Sequence, residues 1–214
     1  MGNYIWKRSQ FRRSQSSLLR SRSQRRERRS FWKNNAACLT ALLVSAHCFG
    51  NTSEAEVYLS KDQALQLVFG KDCQVQYEPK PLSSELIEKL DKLSLLGETQ
   101  KEAHFFTCRK NAQISAYALI DSEVGKHLPI TYIVGITNAG QVSRVEIMVF
   151  REEIGWEVRE RGFLQQFENK QVSDKLKLGD TIRNISGATI SSRSLTKGVK
   201  RALFLWQSFY GSAN

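Results

Sequence analysis

The sequence predicts an α+β fold, a single domain in which an antiparallel sheet of about three or more strands is packed by helices. Three observations carry that expectation. Residues 114–120, 130–136 and 142–150 are rich in β-branched and aromatic side chains and partly alternate polar with apolar, which is the period of strands. Asn138-Ala139-Gly140 separates the second run from the third, with a glycine free to adopt the positive φ of a tight hairpin, so that pair runs antiparallel. On either side of these runs the apolar residues return at helical spacing. A chain of 214 residues, 41% hydrophobic and 25% charged, has enough material for one core and little for a second.

In chain order, Ser60 and Gln63 have the spacing of a capping box, and Ala64, Leu65 and Val68 follow on one face of a short helix ending at Gly70. Pro79 and Pro81 mark a loop. A second helix starts at Ser83 or Ser84, with Leu86, Leu90 and Leu93 on one face before Gly97. The three strands come next. Residues 157–168 resume helical spacing, with Trp156, Phe163, Leu164 and Phe167 on a face, and 174–179 form a polar link. Leu195, Val199, Ala202, Leu203 and Trp206 then define the buried stripe of a last helix, for which Ser191 or Ser192 is a suitable cap. Arg193, Lys197, Lys200 and Arg201 read as the solvated face of that helix.

The formal net charge of +11 points to an anionic partner only if the charge sits on the folded part. It does not. Residues 1–35 hold eleven of the 32 Lys and Arg against one acid, Glu27, which leaves 21 basic and 20 acidic residues for the rest. A nucleic-acid-binding domain would carry its cations on a folded face interleaved with aromatics, so nucleic acid is not expected as a partner.

The leader reads as an export signal. Arg28-Arg29-Ser30-Phe31-Trp32-Lys33 resembles the twin-arginine pattern, and residues 36–50 are an uncharged, mostly apolar run of 15 residues, short of the ~20 that span a membrane. Small residues at Val44-Ser45-Ala46 and at Ser53-Glu54-Ala55 offer two cleavage sites. Residues 1–55 are therefore expected to be leader and signal, and 56–214 the domain, exported to the periplasm or the outer face of the cytoplasmic membrane. Cys38 and Cys48 belong to or border the leader, so the domain keeps Cys73 and Cys108 in an oxidising compartment, either bridged or as two separate buried thiols. No CxxC or Cys/His cluster is present, and no metal site is expected.

The stretch Ser186-Gly187-Ala188-Thr189-Ile190-Ser191 leads into the last helix. A hydroxyl beside a helix N-terminus, with small residues that let a ligand approach the backbone, has the makings of a phosphate cradle. The same residues also make ordinary turns and caps without any ligand.

This stretch resembles the S/T-G-A-T-x-S/T motif of the FMN-binding domain family, which includes the flavin-bearing small subunits of the Rnf and sodium-translocating quinone reductase complexes. Upstream, Val57-Tyr58-Leu59-Ser60, Gly125-Lys126-His127-Leu128-Pro129-Ile130, Arg151-Glu152-Glu153 and Phe163-Leu164-Gln165-Gln166-Phe167 look like segments of single-domain exported members. The resemblance implies FMN esterified through its phosphate to Thr189, with Ser186, Gly187 and Ala188 forming the turn around the phosphate. It also implies a separate flavin transferase that takes FMN from FAD, and redox partner proteins or a membrane electron-transfer complex. Where the larger subunits carry a Glu-Thr-Pro-Gly type of turn, this chain reads Glu152-Glu153-Ile154-Gly155-Trp156, which leaves the contacts of the flavin ring open.

Under that resemblance Lys126 and His127 either flank the ring or belong to a solvated loop. Trp156 either stacks on the ring or packs in the core, and Arg193 stands near enough to Thr189 in sequence to neutralise a phosphate. No nucleophile, base and orienting group converge, so no catalytic residue is assigned and an electron carrier is expected rather than a stand-alone enzyme. Two rival readings are a flavin-free binding module on the same fold and a reductase domain with non-covalent FMN.

Overall fold

The computed structural model describes residues 56–97 and 101–211. Residues 1–55, expected to be a basic leader and secretion signal, lie outside the described residues. Six strands form one antiparallel sheet: β1 (Glu56–Val57), β2 (Gln74–Pro81), β3 (Glu102–Lys110), β4 (Gln113–Val124), β5 (Pro129–Thr137) and β6 (Val142–Phe150), in the order β1-β6-β5-β4-β3-β2. Helices cover both faces, as the α+β expectation requires. The three expected strands are β4, β5 and β6, and Gly140 turns the β5–β6 hairpin at φ 78°.

Three strands, β1, β2 and β3, were not read from the sequence. β2 buries almost nothing, so it has no apolar alternation to read, and its strand character comes from an eight-residue pairing with β3. Pro79 and Pro81, expected in a loop, sit in this edge strand, where a residue without an N–H is tolerated. β3 is visible in retrospect as Ala103 and Phe105 turned to one face and Phe106 and Cys108 to the other.

Helix α1 (Lys61–Phe69) starts from the expected capping box, Ser60 Oγ accepting the Gln63 N–H and Gln63 Oε1 the Ser60 N–H. It lays Ala64, Leu65 and Phe69 on Phe106, Ala118, Ile133 and Met148. Helix α2 (Ser84–Lys92) is capped by Ser83 and ends one residue before Leu93, which is exposed. Residues 157–168 do not form one helix. Extended Glu160 separates the turn Trp156–Arg159 from α3 (Arg161–Leu164), which runs into the turn Gln165–Phe167, and Val158, Phe163, Leu164 and Phe167 still reach the core.

The main core lies on the other face, beneath α4 (Thr189–Tyr210). Leu195, Val199, Ala202, Leu203 and Trp206 are all buried as expected, Leu195, Val199 and Leu203 each contributing on the order of 1.5–3 kcal/mol if fully removed from water. Gly198 lies on Tyr132, where an added Cβ would come within 2.2 Å of the phenol oxygen. Two expectations for this helix need correction. It begins at Thr189, ahead of Ser191 and Ser192, with Ala188 at the N-cap and no side-chain cap. Arg201 is not on a solvated face: it is 0% exposed and ion-paired with Asp121 and Glu123 of β4.

Cys73 and Cys108 are joined by a disulfide, with Cα atoms 5.6 Å apart, tying the entry of β2 to β3.

Candidate functional site

Three segments converge at the N-terminus of α4. The β4–β5 loop supplies Lys126, His127 and Leu128, the chain leaving β6 supplies residues 151–154, and Gly187, Ala188, Thr189, Ile190 and Ser191 close the third side. Between them is an open cleft of about 650 Å³, within the usual range for a cofactor site.

The helix end faces this cleft. The first i to i−4 bond of α4 runs from the Ser192 N–H to the Ala188 carbonyl, so the N–H groups of the first turn precede any intrahelical partner. In a helix of 22 residues this end carries partial positive charge that favours an anion. Gly187 holds φ 86°, a conformation that favours glycine, and a Cβ there would meet nothing within 4 Å. The backbone of the turn is thus open to a ligand, and the donors suit a phosphate.

Thr189 is the first helical residue and half-buried, and its Oγ1 accepts a hydrogen bond from Asn184 Nδ2 at 2.9 Å. Gly155 packs against the same turn, so closely that a Cβ on it would lie 2.4 Å from Ser191 Oγ. Leu128, Ile154 and Ile190 line the cleft while remaining exposed, Ile154 at 71% and Ile190 at 45%. They give it an apolar rim.

Glu152 organises the opposite wall. Its Oε1 accepts the N–H groups of His127 at 2.5 Å and Leu128 at 2.9 Å. Burial pushes this carboxyl up, but the backbone donors of His127, Leu128 and Lys126 outweigh burial and hold it below the usual carboxylate range. A carboxylate depressed in the folded state stabilises above its unfolded pKa and loses that contribution as pH falls through the folded value. In Glu152→Ala, amide exchange at His127 and Leu128 is expected to speed up by about tenfold at neutral pH, the equivalent of one lost hydrogen bond of ~1.4 kcal/mol. The difference from wild type is expected to close as pH falls through the lowered folded value, and equal exchange at neutral pH would contradict this role.

The expected site residues divide. Gly187, Ala188, Thr189, Ser191, Lys126 and His127 meet at the one cleft, and Ser186 lies in the turn without lining it. Arg193 does not reach the cleft. It lines a separate depression of about 1070 Å³ with Lys101, His104 and Lys197, about one helical turn further along α4 from Thr189. Trp156 is 44% exposed, outside the core, and carries the Arg159 guanidinium 5.3 Å from its ring centre. Asn184, Glu152 and Arg151 were not read from the sequence as site residues. Asn184 alone had a local signal, a side-chain amide five residues before the acceptor hydroxyl.

Residues 125–204 match the FMN-binding domain family. This segment is similar to that family. The matched span of the FMN-binding domain encloses every residue that lines the cleft, and it bears out the resemblance drawn from the Ser-Gly-Ala-Thr turn. Among solved structures, NqrC of Shewanella oneidensis is similar at 16% identity over 64% of this chain and 83% of that one, with a TM-score of 0.46. No curated protein matches the chain.

Proposed function

We propose that this protein is an exported electron-transfer flavoprotein whose FMN is attached by a phosphoester to Thr189. The observation that carries the reading is the Thr189 hydroxyl, placed on the uncapped first turn of α4 at a cleft enclosed by the FMN-binding domain match. The first-turn N–H groups and open Gly187 suit the phosphate, and Lys126 brings positive charge to the same cleft, which His127 also lines. Leu128, Ile154 and Ile190 offer apolar surface for the ring. Bound there, FMN supplies one- and two-electron transfer.

A flavin transferase using FAD makes the attachment. Thr189 Oγ1 bonds to the phosphorus of the FMN half, the bond from that phosphorus to the AMP half breaks, AMP leaves, and a base of the transferase takes the hydroxyl proton. Redox proteins or a membrane electron-transfer complex outside the cytoplasm then exchange electrons with the carrier. The twin-arginine-like leader supports the location.

Intact mass of the protein from an envelope fraction with an active transferase tests this. Wild type is expected to lack the leader and to gain one FMN less one water, and Thr189→Ala to lose that gain completely. Wild type without flavin mass would favour a binding module, and flavin released by acid precipitation would favour a non-covalent reductase domain.

A further inference from the structure

We infer that Asn184 is a positioning residue that orients the Thr189 hydroxyl for attack, an inference that rests on attachment at Thr189. Within a helix, a threonine hydroxyl commonly turns back to a carbonyl three or four residues earlier, which ties up its proton. Thr189 is the first helical residue and is held differently. Asn184 Nδ2 donates to Oγ1 at 2.9 Å, occupying one lone pair and leaving the hydroxyl hydrogen and the other lone pair unspent on that bond. Rotation about χ1 would break this bond, so it favours one rotamer of the nucleophile.

Asn184 is itself fixed from behind. The Gln166 side chain grips the backbone of Arg183, accepting its N–H at 2.8 Å and donating to its carbonyl at 3.3 Å. Gln166 stands next to Phe167, which is fully buried, so the grip is referred to the core. On the far side of Asn184, the Ala188 N–H closes the turn on the Ile185 carbonyl at 3.1 Å. The acceptor hydroxyl is thus located through a chain of contacts, Phe167 to Gln166 to Arg183 to Asn184. Asn184 takes no part in the bond changes at phosphorus, which move a proton and AMP and no electrons. It acts through Thr189.

The test uses flavin-free wild type, Asn184→Leu and Thr189→Ala as acceptors for a purified flavin transferase with FAD. Intact mass against time yields kcat and the KM for acceptor protein, and the three-bond Hα–Hβ coupling of Thr189 reports χ1 before any flavin is added. Asn184→Leu is expected to lower kcat about ten- to a hundredfold, the scale of misorienting a reacting group, with KM and melting temperature held. Its Thr189 coupling is expected to move from a single-rotamer value toward a rotamer average. Wild-type kcat and coupling in Asn184→Leu would overturn the inference. So would a joint shift of kcat, KM and melting temperature, which would mark a structural role. Failure of the underlying reading looks different: wild type does not load, or Thr189→Ala does.

Discussion

Replacing Arg201 by Leu is expected to destabilise the domain by about 3–5 kcal/mol, because it takes the buried guanidinium away from two carboxylates. The guanidinium, wholly buried, meets Asp121 Oδ2 at 2.7 Å and Glu123 Oε1, and donates to the carbonyls of Leu95 and Ser122 at 3.2 and 3.0 Å and to the Tyr132 hydroxyl at 3.2 Å. Burial alone would push the Arg201 pKa down; Tyr132, Asp121 and Glu123 outweigh it and hold the group above its ordinary value. Glu123 also pairs with Lys197 at 3.3 Å, yet burial still pushes its carboxyl up. Losing the arginine raises that carboxyl further. An acid whose folded pKa is raised is penalised as pH climbs from the unfolded value through the folded one, so the deficit of Arg201→Leu is expected to be full at neutral pH and to shrink below pH ~5. Chemical unfolding at the two pH values measures this. Adding Asp121→Asn and Glu123→Gln to Arg201→Leu is expected to recover most of the loss, and a triple variant no better than the single one would contradict the account.

Reducing the Cys73–Cys108 disulfide is expected to cost about 3–4 kcal/mol, the chain-entropy value for a closed loop of this size, with a sequence separation of 35 residues. The loop contains α2 and most of β2 and β3, so the free ends of the unfolded chain gain much freedom when it opens. Thermal melts with and without reductant should differ by about 10 °C at this chain length, and Cys73→Ala in oxidising buffer should match the reduced wild type. Coincident melts would show that the bridge constrains nothing that unfolding releases. The prediction bears on expression as well: protein made in a reducing compartment starts from the weaker state.

How much of this was legible in the sequence follows from where the signal is stored. The β5–β6 hairpin, the capping box of α1 and the stripe of α4 are local, and each appears where its own residues place it. β2 was not legible, because an exposed strand is defined by its neighbour rather than by its own pattern. Arg201 was misread for a related reason. Its helical position suits a solvated cation, and only the fold brings Asp121 and Glu123 to it from a strand about 80 residues earlier. At the site, the Ser-Gly-Ala-Thr turn was legible and the geometry serving it was not. Asn184 offered only a side-chain amide five residues before the hydroxyl, and Glu152 reveals itself only through the N–H groups that it accepts.

The two prolines of β2 bear on who can approach this molecule. Pro79 and Pro81 are two apart on an edge strand whose pairing with β3 runs without a shift, so both nitrogens fall on one side of the strand. A further strand laid along that edge would find no hydrogen offered at either position, while Lys80 between them adds charge to the rim. Backbone zippering, the least selective way for two proteins to join, is hindered along this half of the border of the sheet. A partner protein that approaches this border must therefore be recognised largely by the side chains that the surface presents, and crowded copies of the chain have one fewer route to stacking into a fibre.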